Sequence, residues 1–73
     1  MSKRTYSSSE LAAICVKLGW QFDRQSGSHM SFVKPGQPRP IVIPAGRAAV
    51  APFIVSNLCR QLGIKKKDLE DLI

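Results

Sequence analysis

Acidic side chains are scarce in this chain: five Asp and Glu stand against eleven Lys and Arg among 73 residues, a net charge of +6. Such an imbalance on so short a chain excludes an ordinary near-neutral domain and points to an anionic partner, nucleic acid first. Histidine is scarcer still, with His29 alone, and cysteine is limited to Cys15 and Cys59. Those three side chains do not complete a four-ligand zinc site. One disulfide is arithmetically open. The apolar neighbours of the two cysteines (Ile14 and Val16, Leu58 and Leu62) favour buried reduced thiols instead. Long apolar runs are absent too. Leu11-Ala-Ala-Ile-Cys-Val16 ends at Lys17, well short of the ~20 residues a membrane span requires and short for a signal-peptide core. The expectation is a cytoplasmic protein with no membrane association. There is no internal repeat and no low-complexity tract, and the length allows one domain over residues 1–73.

What is present reads as alternating signals. Met1 to Tyr6 is polar and basic, an expected frayed start. Ser7 and Glu10 fit the S-x-x-E capping box. Leu11, Ile14, Cys15 and Leu18 follow at i, i+3, i+4 and i+7, and Gly19 supplies the stop, so a helix is expected over about residues 8–18. The period then changes to two. Trp20 and Phe22 mark a first strand, and Gln25-Ser26-Gly27 a turn. Met30 and Phe32 mark a second strand over about residues 28–34. After Pro35-Gly36-Gln37-Pro38, Ile41 and Ile43 mark a third strand closed by Pro44. Ala45 to Val50 is a small-residue loop. Pro52 suits a first helical position, Val55, Leu58, Cys59 and Leu62 form an apolar stripe, and Gly63 stops it. A short helical tail covers Lys66 to Leu72.

The order α-β-β-β-α predicts an α+β fold, a two-layer sandwich of two helices on an antiparallel meander. Trp20, Phe22, Met30, Phe32, Ile41 and Ile43 are expected to face the helices. Strand parity sends His29, Ser31 and Val33 to the open face.

His29 is the one side chain whose ordinary pKa, about 6.5, lets it accept and donate a proton near neutrality. A lone histidine on a strand is more often a surface or structural residue than a catalytic one. Its company is what singles it out: Gly27-Ser28 before it, and Arg24 and Lys34 at the two ends of its hairpin. Asp23 across the turn is the one carboxylate near enough in sequence to orient it. Ser28 alone reads as a turn residue. Lys65-Lys66-Lys67 reads equally as a phosphate grip or a solvated run. The basic residues are dispersed, which suits phosphate contacts more than base readout.

The run Gly19-Trp20-Gln21-Phe22-Asp23-Arg24-Gln25-Ser26-Gly27-Ser28-His29-Met30-Ser31-Phe32 resembles the signature stretch of HicA-type toxins, small bacterial mRNA interferases of type II toxin–antitoxin systems. In that family a G-[WF]-x3-R-x2-G-S-H pattern follows the first helix, and this chain matches it residue by residue. Ile41-Val42-Ile43-Pro44 resembles the family's third strand, and Leu58-Cys59-Arg60-Gln61-Leu62-Gly63-Ile64 its second helix. The likeness spans about residues 8–73. It implies a double-stranded-RNA-binding-domain-like fold. It also implies endoribonuclease activity on mRNA with His29 as catalytic residue, no metal or small-molecule cofactor, and a HicB-type antitoxin partner. The candidate RNA contacts are Arg24, Ser28, Lys34 and Arg47. Two departures stand out. Ala45-Gly46-Arg47 occupies the place where many members carry a second histidine, and Ala48-Ala49-Val50-Ala51 replaces a lysine-containing segment. They imply a weakly active or strongly substrate-selective toxin. A non-enzymatic RNA-binding module and a pure protein-interaction partner are the competing readings, whereas three strands between the helices disfavour a helix-turn-helix.

Overall fold

A computed structural model describes residues 4–73, and Met1 to Lys3 of the expected frayed start lie outside the described residues. Helix α1 spans Ser8–Lys17, and the expected capping box is present. The Ser7 hydroxyl accepts the Glu10 N–H at 3.1 Å, and the Glu10 carboxylate accepts the Ser7 N–H at 2.9 Å. Two amides that the first helical turn would otherwise leave orphaned are thereby satisfied. At the other end Gly19 takes φ 93, Gly19 N–H donates to the Val16 carbonyl, and Trp20 N–H donates to the Cys15 carbonyl. These two bonds form a Schellman motif, which reverses the chain and drops Trp20 into the core.

Strand β1 spans Gln21–Ser26, β2 His29–Val33 and β3 Ile41–Pro44, an antiparallel meander in the order β1-β2-β3. The β1–β2 hairpin closes on Gly27-Ser28, with φ +58 at Gly27, as a two-residue turn with a leading glycine requires. Helix α2 spans Pro52–Leu62 with Pro52 in its first turn, and its end reuses the first helix's device, Ile64 N–H donating to the Cys59 carbonyl. Helix α3 spans Lys66–Leu72. The arrangement is the α+β, α-β-β-β-α order of a double-stranded-RNA-binding-like domain with a helical tail.

The core lies between the sheet and the helices. Phe32, Ile41 and Ile43 from the sheet meet Leu11, Ile14 and Cys15 of α1, Val55 and Leu58 of α2, and Leu69 of α3. The tail is part of this core, with Leu69 fully buried and the Lys17 ammonium donating to the Leu72 carbonyl. Both cysteines are buried free thiols. Burial pushes the Cys15 thiol up to about 12 and also raises Cys59, which suppresses the reactive thiolate.

Two expectations need correction. Tyr6 does not belong to a frayed start: it is 6% exposed, because Val50 N–H donates to its carbonyl at 2.8 Å and its ring joins the core. Phe22 does not meet the helices. It is 53% exposed on the edge strand, where it packs edge-to-face on Phe32 with ring centroids 5.7 Å apart. Helix α2 touches the sheet through β3, at the opposite edge, and every residue of β1 is exposed. Met30 is half-buried and packs against the core, on the side expected for it.

Candidate active site and anion groove

The open sheet face is set by strand register. Ser26, His29 and Pro44 stand opposite one another across the three strands, and Arg24, Ser31 and Val42 form the next row. Directly paired residues share a face. Arg24 reaches the His29 face only because β1 carries an irregularity between Phe22 and Arg24. Phe22 pairs with Phe32 on the core side, yet Arg24 pairs with Ser31 rather than with Met30. Asp23 is the extra residue of a β-bulge, and it turns Arg24 from the core side to the open side. Asp23 itself has no partner in the β1–β2 register. His29 is exposed and makes no side-chain hydrogen bond among the described residues. Among the described residues its imidazole has no carboxylate partner of the kind that completes a catalytic triad.

His29 lines one end of a broad open groove of about 1000 Å³ between β3 and α2. The β3 side offers Val42 and Pro44, and the α2 side offers Ile54, Asn57, Leu58 and Gln61. Arg39, Arg47 and Arg60 stand around it, and no Asp or Glu lines it. The sole ion pair among the described residues, Arg4 to Glu10 at 3.2 Å, lies elsewhere, so no internal carboxylate neutralises these guanidiniums. Helix α2 runs back along β3. The Gln61 amide donates to the Pro40 carbonyl at 3.3 Å, and the Ala45–Ala51 loop joins the other ends. The groove therefore has a His29–Arg47 end and an Arg39–Arg60 end.

Arg47 is placed by α1. Ser8 at the first helical position donates its N–H to the Arg47 carbonyl, and its hydroxyl accepts the Arg47 N–H, each at 2.9 Å. The same hydroxyl donates to the Pro44 carbonyl. On the other side of the loop, Ala45 N–H donates to the Ser28 carbonyl at 2.7 Å. The segment carrying Arg47 is thus tied to α1 and to the hairpin turn that carries His29.

The remaining candidates from sequence separate. Arg24 lies on the open face without lining the groove, and exposed Ser28 flanks His29 in the turn. Lys34 is engaged elsewhere: its ammonium donates to the Leu18 carbonyl at 2.9 Å, beside Gly19, and caps the C-terminal end of α1. Sequence reading gave no site role to Arg39, Arg60, Asn57 or Gln61. One signal for them exists: Ile54, Asn57, Leu58 and Gln61 repeat at i, i+3, i+4 and i+7, a second stripe beside the apolar one. Among the described residues no three His, Cys, Asp or Glu converge to hold a metal ion, and no helix is long and apolar enough to cross a membrane.

An exposed acid–base group, an arginine whose backbone is anchored and an acid-free cationic groove can bind a phosphodiester and move a proton beside it. A search of curated proteins finds no match to this chain. The family described as the HicA toxin of bacterial toxin–antitoxin systems matches residues 8–64, most of the chain and both sides of the groove. The chain belongs to that family, and it is a toxin of a toxin–antitoxin system.

Proposed function

We propose that the toxin is an endoribonuclease that cleaves mRNA without a metal ion, with His29 as its acid–base group. The observation that carries this reading is the unpartnered, exposed His29 beside Arg47 at one end of a groove free of carboxylates. His29 takes the proton from a ribose 2′-hydroxyl, and the 2′-oxygen attacks the adjacent phosphorus. The bond from phosphorus to the 5′-oxygen breaks, leaving a 2′,3′-cyclic phosphate and a 5′-hydroxyl. The imidazolium, or water in its place, returns the proton to the departing oxygen. Arg47 and Arg24 hold the phosphate and offset its added negative charge. One positioned acid–base group contributes roughly 10²–10⁴-fold, so the enzyme is slow. Slow cutting suffices for toxicity, because each cut inactivates a whole message.

A HicB-type antitoxin binds the toxin and masks the His29 face, and both proteins work in the cytoplasm. The test is incubation of the purified protein with a defined mRNA in the presence of a chelator, followed by analysis of the fragment ends. Cyclic-phosphate ends that disappear on adding the antitoxin are expected. Intact RNA, or ends bearing a 5′-phosphate, overturn the mechanism. A second reading, a binding module without catalysis, rests on the lack, among the described residues, of any side chain orienting the imidazole. It predicts RNA binding that His29→Ala leaves biologically effective.

A further inference from the structure

We propose that the Arg39–Arg60 end of the groove, with Asn57 and Gln61 of α2, is a binding site for unpaired RNA beside the scissile phosphate, and that Asn57 and Gln61 set sequence preference. This rests on the reading of His29 as the cleavage end.

The geometry has three parts. First, the groove is continuous from His29 and Arg47 to Arg39 and Arg60. From Pro40 to Pro44 the strand advances ~13 Å at about 3.3 Å per residue, which matches a few stacked nucleotides at ~3.4 Å each. Second, the cations stand at both ends and none is paired with a carboxylate among the described residues. Such an arrangement follows a phosphate backbone, and a guanidinium plane also stacks on an unpaired base. Third, the middle of the α2 side is made of amides. Asn57 makes no side-chain hydrogen bond among the described residues. Gln61 uses one amide hydrogen on Pro40 and keeps its oxygen free. An amide offers a donor and an acceptor side by side, which is the chemistry that reads a base edge. Val42, Ile54 and Leu58 supply an apolar wall for the face of a base.

The recess favours one strand over two. Duplex RNA is met through its shape, across its minor groove, whereas an unpaired strand bends into a concave channel. The first turn of α2 adds no cation for a duplex: it begins Pro52-Phe53, with Phe53 68% exposed, after Ala48-Ala49-Val50-Ala51.

The experiment measures binding of the His29→Ala protein to short unpaired oligoribonucleotides of A, C or U, and to a hairpin duplex, across a salt series. Tighter binding of unpaired RNA is expected, with unequal affinities among the three. Arg39→Gln and Arg60→Gln should weaken all probes alike and each reduce the slope of log affinity against log salt by about one. Asn57→Ala should leave the slope unchanged and narrow the preference among bases by about fivefold or more. All three side chains are exposed, so the variants fold, which thermal unfolding verifies. Unchanged RNA binding by both arginine variants, or preference for the duplex, overturns the proposal. So does loss of antitoxin binding with RNA binding intact, which makes the groove a protein-docking surface. RNA bound through the groove by a wild-type protein that never cuts supports the site and overturns the nuclease reading alone.

Discussion

Ser8 and Arg47 exchange two hydrogen bonds, N–H to carbonyl one way and N–H to hydroxyl the other, each 2.9 Å long. The contact joins the start of α1 to the loop after β3, and it explains why a serine is buried at a helix's first position. Ser8→Ala removes the hydroxyl that serves both Arg47 and Pro44. A stability loss of about 1–3 kcal/mol is expected, since a buried donor and acceptor lose their partner. Because the loop carries Arg47, RNA binding should weaken beyond what the unfolded fraction explains. Denaturant unfolding combined with RNA titration of the folded fraction separates the two effects. Unchanged RNA affinity would show that Ser8 serves stability alone.

The bulge at Asp23 brings Arg24 to the side of the sheet that carries His29. Asp23→Ala retains the extra residue and should cut RNA at close to the wild-type rate. Deletion of Asp23 removes the extra residue, so Arg24 follows Phe22 directly and stays opposite Ser31 on the open side. The deletion should therefore cut RNA at close to the wild-type rate, whereas Arg24→Ala should lose about tenfold or more. Equal cleavage by Arg24→Ala would remove Arg24 from the mechanism.

The capping box links stability to acid pH. Accepting the Ser7 N–H, with Arg4 nearby, holds the Glu10 carboxyl below its ordinary value of 4.5. A carboxylate whose pKa is lowered by folding stabilises the protein fully above its unfolded pKa. That contribution declines as pH falls below about 4.5 and is gone below the folded value. Glu10→Gln keeps an acceptor for the box and should flatten this part of the acid profile. Thermal midpoints of both proteins between pH 7 and pH 3 provide the check, and parallel curves would contradict it.

Cys15 and Cys59 are structural. Both are buried, and Cys15 in particular is held as the thiol. Alkylation of the native protein should be slow and should accelerate on adding denaturant. Cys59→Ser should cost about 1–2 kcal/mol, since a buried hydroxyl replaces an apolar sulfur, and leave the cleavage rate of the folded protein unchanged. Rapid modification in native buffer would refute the assignment.

Both main helices were legible in the sequence because their signals are local: a serine and a glutamate three residues apart, an apolar stripe, a glycine stop. The meander was legible for the same reason, since its turns are short. Tyr6 was misread because its partner, Val50, is reached only through tertiary pairing. Phe22 was misread because alternation assigns a face but does not reveal how deeply each strand is buried. The bulge leaves no mark of its own. Asp23 carries no glycine, and the irregularity exists only relative to β2. His29 and Arg47 emerged from sequence, but their groove did not, because Arg39 and Arg60 converge from separate elements. Lys34 looked like one more cation, and only the fold brings it to the Leu18 carbonyl.

The most direct test of the account is the cleavage rate of a defined mRNA by His29→Ala beside its thermal stability and RNA affinity. His29 is exposed on the open face, so its removal leaves no core cavity and should change stability by no more than about 0.5 kcal/mol. Binding of RNA and antitoxin should persist, while the rate should fall by about 10²-fold or more. A folded His29→Ala protein that cuts at the wild-type rate would contradict the catalytic assignment.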